Sequence, residues 1–368
     1  MKTGSIRFEV RALEIFGRDV FVACGLGKED AARSAEVMVA ADVRGIPSHG
    51  IGRLGRYTNG ITTGLMLADA KSEIVAETPT TLVLDARGGM GAPVSIQAME
   101  QIIAKGMSAG VGLGCVRNSN HFGIAAYYAM MALPHDMIGI AATNTAALGV
   151  PTFGRQVMTG TNPLAFAAPA LAEKAFVLDM SSTVVTQGKL EVYDRLKQPL
   201  PAGWAVDSDG QPTSDARSVL DNMLHQRGGG ILPLGGSQEE SGGHKGYGLS
   251  VMVDILCSVL CGAPFGPQLR DTPTSFSRVS HFFGALRIDA FRDSSEFRKD
   301  MDKMLLDLRL CPPAVGAERV YFAGQKEFEH EAEVRRSGVP LFRETVTSLE
   351  TISRQTGVSM PEVLPDRP

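Results

Sequence analysis

Two histidine-bearing segments hold the residue types that acid–base chemistry needs. The first is Arg44-Gly45-Ile46-Pro47-Ser48-His49-Gly50, just after an expected helix end. The next stretch has Ile51, Leu54, Thr58 and Ile61 at helical spacing, so His49, Arg53 and Tyr57 fall at i, i+4 and i+8 of one predicted helix face. That face would hold an imidazole, a guanidinium and a phenol. An arginine fork grips a carboxylate through two bonds, and a neighbouring His or Tyr can protonate the adjacent oxygen. The bland reading is a surface helix with ordinary polar residues. The second segment is Asn118-Ser119-Asn120-His121-Phe122-Gly123, a polar loop after a predicted strand ending at Val116. The strand 137–143 ends in a similar polar tip, Thr143-Asn144-Thr145. If the two strands are neighbours, His121 and Thr145 line one rim. A lone loop histidine is nevertheless more often structural or solvated. His135, His225, His281 and His330 have no polar constellation around them in the sequence.

A third segment, Gly242-Gly243-His244-Lys245-Gly246-Tyr247-Gly248, precedes an apolar helix expected at 249–260. A glycine-rich helix entry offers backbone N–H groups and a positive dipole end, and Lys245 adds a full charge suited to a pyrophosphate. The alternative is a flexible entry to a buried helix. The dinucleotide fingerprint GxGxxG between strand and helix is missing, so a Rossmann reading fails its most specific test. No Walker A, GxSxG elbow, HExxH or His/Cys cluster occurs, and no metal is expected.

The elements that must position these groups alternate. Residues 6–26 and 28–44 read as helices. Strands are expected at 80–85, 111–116, 137–143, 164–168, 175–180, 282–288 and 319–323. Helices are expected at 94–105, 124–133, 295–308 and 344–355, with a loose tail after Gly357. This is α/β texture. The chain has 368 residues, enough for two or three domains. Apolar residues make up 44% and charged residues 21%, as in a globular protein rather than a disordered one. The net charge is −4 with no basic stripe, which argues against nucleic acid as a partner. No run of 18 apolar residues and no apolar N-terminal segment occur, so no membrane span or signal peptide is expected. The five cysteines are odd in number and lack a CxxC pair, which points to a reducing, cytoplasmic setting.

The segments RGIPSHGIGRLGRY (44–57), RNSNHFGIAAYYA (117–129), TNPLAF (161–166), LDMSSTVVTQGKL (178–190), PAGWAVD (201–207), LPLGG (232–236) and HKGYGL (244–249) occur in that order. Together they resemble the malate/L-lactate dehydrogenase family that is distinct from the Rossmann lactate dehydrogenases. Its relatives include ureidoglycolate and sulfolactate dehydrogenases, diketogulonate reductase and cyclic-imine carboxylate reductases. The resemblance implies a mixed α/β fold. A non-Rossmann nicotinamide domain would hold a mostly antiparallel, roughly seven-stranded sheet, beside a helical domain built from both chain ends. It implies a homodimer with a three-part subunit: 1–75 with 325–368, then 76–135 with 245–324 on the substrate side, then 136–244 around the nicotinamide.

By the same resemblance, His49 and His121 face the substrate as acid–base groups and Ser48 is a relay serine. Arg53 grips the carboxylate, and Tyr57, Asn144 and Thr145 lie on the substrate side. The cofactor side would take Asn120, Asn162, Pro163, Leu178, Asp179, Met180, Ser181, His244, Lys245, Gly246, Gly324 and Gln325. The implied activity is hydride transfer between NAD or NADP and a small 2-hydroxy or 2-keto acid. The choice of cofactor and the identity of the proton-donating histidine stay open. The chain departs from the family in two places. Ala323-Gly324-Gln325 stands where a PGE-like turn is usual, and the polar insert Gln238-Glu239-Glu240-Ser241 lengthens the approach to Lys245. One alternative is an NADPH-dependent reductase of a cyclic imine carboxylate. Another is a lyase using Lys245 or Lys189 as a Schiff base. A third is a catalytically silent binding protein.

Overall fold

The strand 279–287 is buried on both faces, and the rest of the structure is arranged around it. The computed structural model describes residues 6–272, 274 and 276–365. The chain runs β1 (Ile6–Phe8), α1 (Val10–Ala23), α2 (Lys28–Val43), two short 3-10 turns (Pro47–His49 and Ile51–Arg53), α3 (Leu54–Thr62), β2 (Glu73–Glu77), β3 (Thr81–Asp85), α4 (Gly91–Ala109), β4 (Val111–Ser119), α5 (Ala125–Met130), β5 (Met137–Thr143), β6 (Leu164–Ala168) and β7 (Phe176–Met180). It continues through α6 (Gln187–Leu196), β8 (Ala205–Val206), α7 (Ala216–His225), β9 (Gly230–Ile231), α8 (Gly243–Cys257), β10 (Val279–Arg287), α9 (Ser294–Leu310), α10 (Gln325–Ser337), β11 (Val339–Leu341) and α11 (Arg343–Thr356).

Seven strands form one sheet in the order β2-β3-β4-β10-β5-β6-β7, antiparallel throughout except for the parallel pair β3/β4. This is the mostly antiparallel, non-Rossmann sheet that the resemblance implied. The late strand β10 separates β4 from β5, so the strands whose tips lead to His121 and Thr145 are not direct neighbours. Side chains of β10 alternate as a pleat requires. Phe283 and Ala285 enter the core under α4 and α5, whereas Phe282 packs with Val253 and Cys257 of α8. Burying one such phenylalanine stabilises the fold by about 2–3 kcal/mol. The helices lie directly on strand backbone. A Cβ at Gly112 would meet the Ile102 carbonyl, and one at Gly139 the Ala129 carbonyl, which explains glycine inside these strands.

Both chain ends share a separate apolar cluster. Phe16, Val20, Met38 and Leu54 pack there with Val334, Val346, Leu349 and Ile352. Residues 6–8, expected as the start of a helix, instead form a strand paired with β11, because Phe8 must be buried among these helices. The segment after Gly357 is no loose tail: Leu364 N–H donates to Arg7 O and Val363 bridges to Phe8. Residues 319–323 are not a strand; Tyr321 and Phe322 lead into the turn before α10. The helix expected at 249–260 begins at Gly243, and it is not wholly buried: Ile255 is 50% exposed. The helices α6 and α7 lie in stretches whose glycine, proline and acidic residues masked the helical period. No helix among the described residues is long and apolar enough to cross a membrane.

Candidate active site

The helix expected to carry His49, Arg53 and Tyr57 on one face is broken at Gly50, whose backbone is extended between the two 3-10 turns. Asp42 of α2 causes the break. Its carboxylate occupies the space a Cβ at Gly50 would need, and it accepts a 2.6 Å bond from Ile51 N–H. Burial pushes the Asp42 carboxyl up to about 7. The break turns Ser48 and His49 toward the tips of the central strands, while Tyr57 follows on α3.

Ser48 and His49 meet His121 in a cleft of about 400 Å³. The His49 and His121 rings stack with centroids 5.3 Å apart and planes 25° apart. Ser48 Oγ lies 2.9 Å from His49 Nδ1, and the Tyr57 hydroxyl lies 2.6 Å from His121 Nδ1. Neither Nε2 has a protein partner among the described residues. Two stacked imidazoles cannot readily both be charged. His49 is brought down to about 4 by burial and then by Arg53; His121 is held well below the ordinary histidine range by burial, His49 and the two nearby arginines. Both rings are therefore neutral at physiological pH.

Arg53 lines the same cleft. Its Nε donates to Ser48 O at 2.6 Å, and no described carboxylate pairs with it, which leaves its two terminal amino groups for a ligand. Arg56 is already engaged, paired with Asp271 at 3.0 Å and stacked on Phe276. Tyr57, expected on the substrate side, is 4% exposed and stands behind His121 rather than in the cleft wall.

The opposite wall is built of strand tips tied together below the surface. His281 of β10 is fully buried, 2.7 Å from Thr143 Oγ1 and 2.9 Å from Ser119 Oγ, with its ring flat against Phe122. A bulge in the β10/β4 register just before His281 aims the ring between the two tips. It thereby joins the strand leading to His121 with the strand leading to Thr145. Asn144 is fully buried, donating to Ser258 Oγ at 2.6 Å and accepting from Ser280 N–H at 2.8 Å. Asn162, also buried, spends its amide on Ser250 O and Asp254, both at 2.9 Å, and accepts from Thr145 N–H. Asn162 is thus a brace for the cleft floor. Thr145 and Pro163 reach the cleft, although the Thr145 hydroxyl already donates to Ala146 O and accepts from Thr161 N–H. Sequence reasoning missed His281 and Asp254. Their partners lie 138 and 162 residues away for His281 and 92 and 110 away for Asp254, so local pattern could not reveal them.

The cofactor-side residues do not converge on one surface. Asn120 lines the cleft; its amide donates to Gly88 O and Gly89 O, and its Oδ1 is buried without a partner. Leu178, Asp179 and Gly324 line a second cavity of about 260 Å³ with Arg44 and Lys326. Asp179 accepts there from Ala126 N–H and, among the described residues, makes no hydrogen bond or ion pair with Lys245. Met180 and Ser181 line neither cavity, and the Ser181 hydroxyl is taken up by Thr183. Gln325 is 5% exposed and donates to Glu329.

The segment 242–248 is the first turns of α8 rather than a loop. His244 and Lys245 are exposed there, but the Gly243 and Lys245 N–H groups already bond to Gln238 O and Gly242 O. Gly243 and Gly246 are glycines because the turn at 234–236 lies against them. The insert 238–241 folds back onto this helix start through those same bonds. Lys189, the other Schiff-base candidate, is exposed and does not line the cleft. Among the described residues no group of three or more His, Cys, Asp or Glu could hold a metal ion.

Comparison with known proteins agrees with this architecture. The chain is 41% identical over 352 residues to a malate dehydrogenase of Pyrococcus abyssi, covering 95% of each. It is 35% identical over 348 residues to an L-sulfolactate dehydrogenase of Methanocaldococcus jannaschii, covering 94% of this chain and 96% of the relative. The crystal structure of malate dehydrogenase from Entamoeba histolytica superposes with a TM-score of 0.93 at 34% identity, covering 98% of this chain and all of that one. The family model described as malate/L-lactate dehydrogenase matches residues 8–350. With its paired histidines, its arginine and its seven-stranded sheet in one frame, the chain belongs to the malate/L-lactate dehydrogenase family.

Proposed function

We propose that this protein is an NAD(P)-dependent oxidoreductase that interconverts a small, malate- or lactate-like 2-hydroxy acid and its 2-keto acid. The observation that carries the reading is the pair of neutral, stacked imidazoles with free Nε2 atoms beside an arginine that has no carboxylate partner. Arg53 binds the substrate carboxylate, and an imidazole exchanges a proton with the oxygen on the neighbouring carbon. The cleft volume suits a small ligand, within the roughly 300–1,000 Å³ of such sites.

The residues present fit a nicotinamide. The unpartnered Asn120 Oδ1 is an acceptor suited to a carboxamide amino group, and Thr145 and Pro163 form the floor beside it. Leu178, Asp179 and Gly324, together with Lys245 on α8, are the proposed contacts for the remainder of the dinucleotide. When bound, the cofactor supplies or takes the hydride. The chain's part is to position the acid, hold the proton and exclude water.

The working form is read as a homodimer. The exposed apolar side chains of Met252, Ile255, Val259 and Leu260 along α8 and the turn after it support a second copy as their cover. Five unpaired cysteines support a reducing, cytoplasmic setting. The test is a screen of 2-keto acids and cyclic imines with each reduced cofactor. Oxidation of NADH or NADPH by a 2-keto acid is expected. Folded protein that turns over none of them would overturn the reading, and borohydride trapping of substrate on a lysine would replace it with the lyase.

A further inference from the structure

His121 has two hydrogen-bond partners on one nitrogen. The Gly123 backbone N–H donates to Nδ1 at 3.3 Å, and the Tyr57 hydroxyl lies 2.6 Å from the same atom. A backbone N–H can only donate. Nδ1 therefore carries a lone pair, and the hydrogen of the neutral ring is on Nε2. The Tyr57 hydroxyl, facing that lone pair, must be a donor too. Tyr57 is buried against Phe21, and its oxygen has no other described partner. His121 Nε2 has none either, and the ring lines the cleft.

We propose that Tyr57 acts through His121. Its hydroxyl holds the ring as the Nε2–H tautomer and replaces the proton that Nε2 gives to the substrate oxygen. The proposal rests on the reading that the cleft reduces a 2-keto acid, and it makes His121 rather than His49 the donor. His49 has only the rotatable Ser48 hydroxyl at Nδ1, so nothing fixes its tautomer.

The step balances. As the keto carbon takes up hydride, the carbonyl π pair moves to oxygen, which takes the proton from Nε2. The pair left on Nε2 shifts through the ring, Nδ1 takes the phenolic proton and gives up the long 3.3 Å bond from Gly123 N–H, and Tyr57 is left as a phenolate. A phenolate is a weaker base than an alkoxide, so the transfer runs downhill. The charges of Arg53 and Arg56 both favour the phenolate form, partly offsetting the burial that pushes Tyr57 up to about 12. Solvent restores the proton once product leaves. An imidazolium cannot serve as the reservoir instead. Burial above all, and then the charges of Arg53 and Arg56, oppose a second proton on His121.

The test uses the full-length protein with ¹⁵N-labelled histidine. The His121 signals are identified as those lost in His121→Gln. The expected spectrum shows hydrogen on Nε2 and a bare Nδ1. A wild-type spectrum with hydrogen on Nδ1 overturns the proposal whatever the substrate proves to be. Tyr57→Phe removes one oxygen and keeps the ring packing. It is expected to lower kcat for keto-acid reduction by about 10-fold or more, with KM and cofactor Kd changed less than about 2-fold. Unchanged kcat in folded Tyr57→Phe also overturns it. Absence of all keto-acid turnover in the wild type would sink the functional reading, while the tautomer measurement would still stand by itself.

Discussion

The cleft wall and the first turns of α8 both combine histidine, glycine and a cation, yet they are built in opposite ways. In the cleft, polar side chains bond to one another beneath the surface: His281 to Ser119 and Thr143, Asn144 to Ser258 and Ser280, Asn162 to Asp254. What is left without a partner among the described cleft residues is small and specific: the Nε2 atoms of His49 and His121, the terminal amino groups of Arg53 and the Asn120 Oδ1. At α8 the charged side chains point to solvent, and the glycines serve the backbone of the neighbouring turn. Glycine is required in both places by close approach of the chain itself, the Asp42 carboxylate at Gly50 and the 234–236 turn at Gly243 and Gly246. The case for a phosphate at α8 rests on Lys245 far more than on its glycines.

The largest expected effect tests the cleft side of this contrast. His121→Ala should lower kcat by about 10²-fold or more with circular dichroism unchanged. Full activity in that variant would remove the ring from the chemistry and make the cleft as passive as the α8 entry. Next comes Gly246→Ala, whose Cβ would collide with Leu234 backbone atoms. It should destabilise the fold by about 2 kcal/mol, read from the urea midpoint. A neutral outcome would return Gly246 to the role of ligand contact.

Lys245→Ala should raise the cofactor Kd by roughly 10-fold, the scale of a lost charge-assisted bond, with little change in cofactor-saturated turnover. Unchanged Kd in a fluorescence titration would leave the segment as a helix entry and nothing more. The smallest effect is expected at Gly248, where nothing lies within 4 Å of an added Cβ. Gly248→Ala should stabilise α8 by up to about 1 kcal/mol, seen as a higher Tm. A loss of stability there would mean that open space is not what separates Gly248 from Gly246.

Much of the molecule was legible from local pattern. The helices α2, α4, α9 and α11 and the strands β3, β5, β6 and β7 lie within a few residues of where periodicity and turn signals put them, because each is set by neighbours three, four or two residues away. The family resemblance was legible for the same reason, since its motifs are short and ordered. Tertiary structure alone decided three things. It inserted β10 between β4 and β5, a pairing across more than a hundred residues. It broke the expected helix at Gly50, because a carboxylate from α2 fills the space a side chain would need there. And it turned His281, whose ring partners Thr143 and Ser119 lie 138 and 162 residues away in sequence, into the brace between the strand tips that carry the candidate chemistry. The physical reason is common to all three. Spacing along the chain encodes which face a residue presents, but a buried donor or acceptor is satisfied by whatever the fold brings to it, from any distance in sequence.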